Sequence, residues 1–295
     1  MWLLEKNVNI SEIVINTINT IFGNLFSSID EKLYEVLDNL TFINSDLLND
    51  KYFGKIFGTS ANNGLLIIAN SLLIGFILYF AIKYLTSNLT FNRVENPIQF
   101  IFKLIILGIA MNSSYFIIGQ VLDINSNISM IIRSIGEELF KKQICFSKLI
   151  TSINENLDIT AENLNIFSVD GIIKGTTTIS LINLVSVYAL RYIMIKIFVL
   201  LSPFAILSLS MESTSWFFRL WSRNLFSLLF IQIIVSLILL ILFSIDFNSN
   251  NLMIKFIYVG GIYALIQANS FVREFMMGSG ISTNVQNNIG FLKGK

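Results

Sequence analysis

No histidine occurs anywhere in the 295 residues, so no imidazole can serve as acid, base or metal ligand. Cys145 is the only cysteine, which excludes a disulfide framework and a thiolate metal site within one chain. There are two prolines, Pro97 and Pro203, so forced breaks are few. Charge is scarce too: 13% of the residues are Asp, Glu, Lys or Arg, where a typical soluble domain carries about 25%. With 54% hydrophobic residues and a mean hydropathy of +0.70, the chain lacks the polar surface that a water-soluble fold of this length needs. A net charge of +1 excludes a basic nucleic-acid-binding domain. The phosphate loop GxxxxGK[ST], the dinucleotide fingerprint GxGxxG, HExxH and CxxC are all missing. Carboxylates cluster only in polar segments, without a paired buried arrangement for acid–base work. The reading is a non-enzyme with no cofactor and no metal site.

What the chain does have is long uncharged runs. Between Lys55 and Lys83 lie 27 uncharged residues, between Lys103 and Asp123 19, between Arg223 and Asp246 22, and between Lys255 and Arg273 17. A helix crosses a bilayer with roughly 17–25 residues. All four runs qualify, the last with Lys255 and Arg273 snorkelling at its ends. From Gly175 to Met211, Arg191 and Lys196 interrupt the apolar sequence. A hairpin there needs turn residues, and RYIMIK has no Gly, Pro, Asn or Asp. One long helix is the better reading. The expected fold is therefore an all-α polytopic membrane protein with five spans and amphipathic helices outside the bilayer.

Charge placement orients it. Residues 1–60 carry four positive and eight negative side chains, and residues 123–174 five and seven. The intervening short segments and the tail hold Lys83, Arg93, Lys103, Arg219, Arg223, Arg273, Lys293 and Lys295 against three glutamates. The positive-inside bias then puts the N-terminus outside a plasma membrane and the C-terminus in the cytoplasm. Five segments follow: an amphipathic outer segment at 1–60, a two-span hairpin at 61–122, an outer helical loop at 123–174, a three-span core at 175–272 and a cytoplasmic tail at 273–295.

Residues 1–60 lack the basic start and cleavage site of a signal peptide. Apolar residues from Ile10 to Leu40 instead recur every three or four positions, and Ser28 with Glu31 makes a capping box where a second helix can begin. Such a helix lies on the membrane, packs on its own bundle or pairs with another subunit. Ile128 to Phe140 reads as a further amphipathic helix, and Asn96-Pro97 as a helix start. Pro203 kinks an apolar helix, either as plain structure or as a bend for gating or subunit contact. Arg191 and Lys196 are the costliest residues to insert: they lie at the outer boundary or line a polar path. Glu212, Trp216, Arg219 and Arg223 follow at steps of four, three and four, which places them on one helical face, an interfacial anchor or a cytoplasmic docking surface. Asn70, Asn112, Asn183, Gln232 and Gln267 suit interhelical hydrogen bonds, and Gly260-Gly261 suits close helix approach.

The stretch LRYIMIKIFVLLSPFAILSLSMESTSWFFRLWSRNLFSLLFIQIIVSLILLI, residues 190–241, resembles the most characteristic region of the TrbL-type polytopic subunits of conjugative type IV secretion systems, particularly those of Gram-positive elements. In that family an Arg opens a long apolar helix that runs to a Pro among small residues. A Glu-containing turn, a Trp/Arg amphipathic piece and an apolar span with an early Gln come next. The matching positions are Arg191, Pro203, Glu212, Trp216, Arg223 and Gln232. Phe204 stands where some relatives carry a second proline, and the tail VREFMMGSGISTNVQNN carries no matching motif. The resemblance implies a channel or scaffold subunit, present in several copies, that moves single-stranded DNA with its relaxase beside other membrane subunits and a cytoplasmic ATPase. A permease subunit of a small-molecule exporter and a membrane immunity protein are the alternatives; the odd span count and missing inverted repeats count against the first.

Overall fold

A computed structural model describes residues 10–58, 64–90, 96–156, 168–245 and 252–277. Among these residues the chain forms nine α-helices and two short 3-10 turns, with no strand: α1 (Ile10–Thr41), α2 (Lys51–Phe57), α3 (Leu65–Thr90), α4 (Pro97–Asn112), α5 (Ser114–Phe140), α6 (Phe146–Asn156), α7 (Val169–Leu207), α8 (Ser215–Phe243) and α9 (Leu252–Met277). Five stretches are long and apolar enough to cross a membrane: Leu65–Thr86, Ser114–Phe140, Val169–Ser210, Ser215–Phe243 and Leu252–Met276. The protein is an all-α, multi-pass membrane protein. The division at 60/61, most of the Asn-rich stretch after Asn156 and the tail beyond Met277 lie outside the described residues.

The centre of the molecule is the packing of α7, α8 and α9, closed by α5 on the α8 side and α1 on the α7 side. Leu181, Leu184 and Tyr188 of α7 meet Ile231, Val235 and Leu239 of α8 and Leu265 of α9, all at most 1% exposed. Leu37 of α1 and Phe146 of α6 join this core. A second cluster lies further along α7, where Ile195 and Val199 meet Ile118 and Leu122 of α5, Leu225 of α8, and Ile43 and Leu48 of the segment after α1. The α3–α4 hairpin is different. Of α3's candidate span only 6% is buried within the chain, against 50% for that of α8. An apolar groove of about 680 Å³ runs between α3 and α4.

Residues 169–207 form one helix, as the missing turn residues require. Ser168 caps it by accepting the Gly171 N–H at 3.0 Å, and Asp170 in the first turn suits the helix dipole. Its 39 residues reach about 58 Å. Pro203 sits inside the last turns and cannot donate to the Val199 carbonyl. The helix tightens into the 3-10 turn Ser208–Ser210, where hydroxyls collect carbonyls: Ser208 Oγ donates to Ala205 and Thr214 Oγ1 to Ser208, both at 2.6 Å. Asn96 caps α4 through the Ile98 N–H at 3.1 Å, with Pro97 at the first position, as expected.

Three expectations need correction. The second uncharged run is not one span. The chain departs from the helix at Ser113, leaving a 16-residue α4 and a 27-residue α5 that carries straight on through Asp123 to Phe140. Asn112 Nδ2 donates to the Gly108 carbonyl and Ser114 Oγ to that of Met111, so side chains compete for the ladder at this joint. Asp123 is no terminus because the Ser45 N–H reaches its Oδ1 at 3.0 Å. The division at 122/123 therefore marks a change of composition inside a helix. Second, no helix begins at Ser28, since α1 is continuous from Ile10 to Thr41. Third, Lys255 does not snorkel but is 8% exposed and bonded to Asp170 Oδ1 at 2.7 Å.

Candidate functional site

Arg191 stands midway along α7, and its side chain is 1% exposed. The reason is geometric: it lies on the α7 face that meets both α8 and the end of α1. Its Nε donates to the Leu228 carbonyl at 2.8 Å and its Nη1 to the Thr41 carbonyl at 2.9 Å. Thr41 is the last residue of α1, where backbone carbonyls lack intrahelical donors and the dipole is negative. The guanidinium thus caps α1 while fastening it to α7 and α8. Within the single chain Arg191 faces no solvent.

A polar seam continues from this point along α8. Gln232, 0% exposed, accepts the Ile43 N–H at 3.2 Å and the Asn125 Nδ2 of α5 at 3.3 Å. One turn further, the hydroxyls of Ser129 and Ser236 share a hydrogen bond at 2.6 Å. Past that, Gly136 of α5 lets the Leu240 and Ile144 side chains come closer than a Cβ would allow. Gln232 was legible as an interhelical donor or acceptor; its partners were not singled out. Asn125 and Ser129 share the four-residue spacing of Gln232 and Ser236, and that matched spacing was the available signal.

Lys196 does not accompany Arg191 into the core. Its Nζ pairs with Asp50 Oδ2 at 3.3 Å, with the Lys196 side chain 22% exposed, and lies 5.4 Å from the Phe53 ring centre and 5.2 Å from that of Tyr192. Asp50 also caps α2 through the Tyr52 N–H, and that bond, followed by Lys196, holds its carboxyl below the ordinary carboxylate range. Pro203 is buried, with Phe204 and Leu207 packed near Ala69 of α3 and Met111 of α4.

The four residues read as one face divide. Glu212 lies exposed in the turn before α8 and is not on the helix, because the tight 3-10 ending delays the helix start to Ser215. Trp216, 57% exposed, and Arg219 are on the outside of α8. Arg223 donates from Nε to the Met276 carbonyl at 2.7 Å and so ties α8 to the end of α9. Asn70 and Asn112 do pair between α3 and α4, at 3.2 Å. Gln267 bonds Tyr263 within its own helix, and Asn183 lies exposed. Of the two neighbouring glycines, Gly261 touches Leu242 of α8, and Gly260 has open space.

A further cluster carries no sequence signal, because its partners are backbone groups and distant residues. Asp38 of α1 accepts the N–H groups of Phe146 and Ser147 at 3.0 and 3.4 Å, capping α6 from 108 residues away. Burial pushes its carboxyl above the ordinary range, outweighing these two donors and the nearby Arg133. Arg133 stacks 3.9 Å over the Phe42 ring. Cys145 is half-buried beside this cluster, and burial pushes its thiol up, away from the reactive thiolate. Among the described residues no group of three His, Cys, Asp or Glu could hold a metal. The arrangement positions helices and encloses a charge. No protein-family model and no curated protein sequence matches this chain.

Proposed function

We propose that this chain is a channel or scaffold subunit of a conjugative type IV secretion machine, and that it helps move single-stranded DNA with its relaxase across the plasma membrane. One observation carries the reading: the order of features along residues 190–241. Arg191 lies in a long apolar helix, Pro203 near its end, Glu212 in the turn, Trp216 and Arg223 early in α8, and Gln232 further along it. That order matches the one characteristic of TrbL-type subunits, except that Arg191 stands midway along α7 rather than opening it. In this reading the N-terminus lies outside and the C-terminus in the cytoplasm, as the charge distribution favours. The partners are the lipid bilayer, further copies of the chain, other secretion subunits and a cytoplasmic ATPase. Exposed Trp216 and Arg219 are the surface offered on the cytoplasmic side.

Deleting the gene from a conjugative element should abolish transfer, and formaldehyde crosslinking during mating should trap transferred DNA on the protein. Transfer at normal frequency after deletion would overturn the reading. Topology has a separate readout: Cys145, the only thiol, is changed to Ser, and the exposed neighbour Gln143→Cys supplies the probe. In intact cells that cysteine should react with a membrane-impermeant maleimide; labelling only after permeabilisation reverses the orientation.

A further inference from the structure

Arg191 brings a positive charge into the protein interior, and both of its bonds go to neutral carbonyls. Among the described residues no carboxylate pairs with it, and its Nη2 is buried without a hydrogen-bond partner. Gln232 presents a second free donor. Its Oε1 is committed to the Ile43 N–H and to Asn125, so the amide cannot turn over without setting its NH2 against a backbone N–H. Nε2 is held as a donor, and it too is buried with no partner.

The bonds around the two free donors bring their side chains to neighbouring backbone groups. Nε and Nη2 form one edge of the guanidinium fork, so Nη2 lies on the side where Nε meets Leu228. Gln232 is one turn beyond Leu228 on α8. The Thr41 carbonyl held by Arg191 and the Ile43 N–H held by Gln232 are two residues apart. A water placed between the donors would accept from both, yet the charge would stay unanswered. An anion answers the donors and the charge together.

We infer that Arg191 Nη2 and Gln232 Nε2, at the junction of α1, α7 and α8, bind a small monovalent anion of halide size. Such a site is independent of whether the chain moves DNA. Binding stabilises the junction, because the ligand favours the folded state.

The test uses the whole chain purified in detergent and melted in chloride or in gluconate, an anion much larger than a halide, at equal ionic strength. A saturable rise in Tm with chloride, matched by bromide, is expected. Gln232→Glu keeps an acceptor for Ile43 and gives Arg191 a carboxylate of its own. That variant should melt in gluconate near the chloride-saturated temperature of the parent and gain nothing from chloride. Bromide-soaked crystals of the unaltered chain give a readout independent of any variant, with an anomalous peak expected within hydrogen-bond distance of both nitrogens. Equal melting of the parent in the two salts, a full chloride response retained by Gln232→Glu, or no bromide at the two nitrogens would each overturn the inference.

Discussion

At the scale of single residues, the costs of burying charge decide most outcomes. Arg191→Glu would aim a carboxylate at the carbonyls of Leu228 and Thr41. Loss of folded protein is expected, read as a collapsed size-exclusion peak. Arg191→Lys keeps the charge but cannot reach both carbonyls with a planar fork, and a loss of about 1–3 kcal/mol is expected from thermal melting. The Asp170–Lys255 pair is asymmetric, with side chains 40% and 9% exposed. Asp170→Asn strands a buried ammonium, whereas Lys255→Met leaves a carboxylate that water can reach. The first should therefore lower Tm more than the second. Asp38 titrates with the opposite sign to most acids. Its folded-state carboxyl lies above the ordinary 3.8, so the folded chain holds more protons than the unfolded one between those values. Stability falls as pH rises through that window. Asp38→Asn removes the slope, and melts from pH 3.8 to neutrality should show the parent losing ground to the variant as pH increases.

Helices and their contacts are the next scale, and here small residues set the distances. Gly261→Ala drives a Cβ into Leu242 of α8, whereas at Gly260 nothing lies within 4 Å. Gly261→Ala should cost about 1–3 kcal/mol through forced repacking. Gly260→Ala should be neutral or gain up to about 1 kcal/mol of helix propensity, with both effects measured by Tm. The sequence named this pair of glycines without saying which one packs, since neighbouring residues in a helix point about 100° apart and the phase depends on α8. Element type was easier to read than element ends. RYIMIK contains nothing that turns a chain, and α7 is indeed single. Asp123 contains nothing that says a backbone N–H will meet it, and a boundary drawn at that charge fell inside α5.

Across the whole molecule, four of the five spans were legible, three as uncharged runs of a bilayer's thickness and α7 as a stretch without turn residues; the second was not, because the uncharged run breaks at Ser113 and α5 continues through Asp123. The candidate site was half legible. Arg191 and Gln232 stood out as polar residues in apolar helices, but their partners are the backbone of Thr41, Ile43 and Leu228. Every residue has a carbonyl, so no side chain marks those positions. These contacts join residues 150 and 189 positions apart. During synthesis α1 is complete long before the groups that anchor its end exist. At about 5–20 residues per second the wait is roughly 10–40 s. For that interval the carbonyl of Thr41 and the N–H of Ile43 lack the side chains that meet them in the finished chain. Arrested chains that stop short of Arg191 should leave α1 open to protease, and chains from which Gln232 has cleared the ribosome should protect it. α1 is therefore made early and has its end fixed late, by side chains 150 and 189 positions further along the chain.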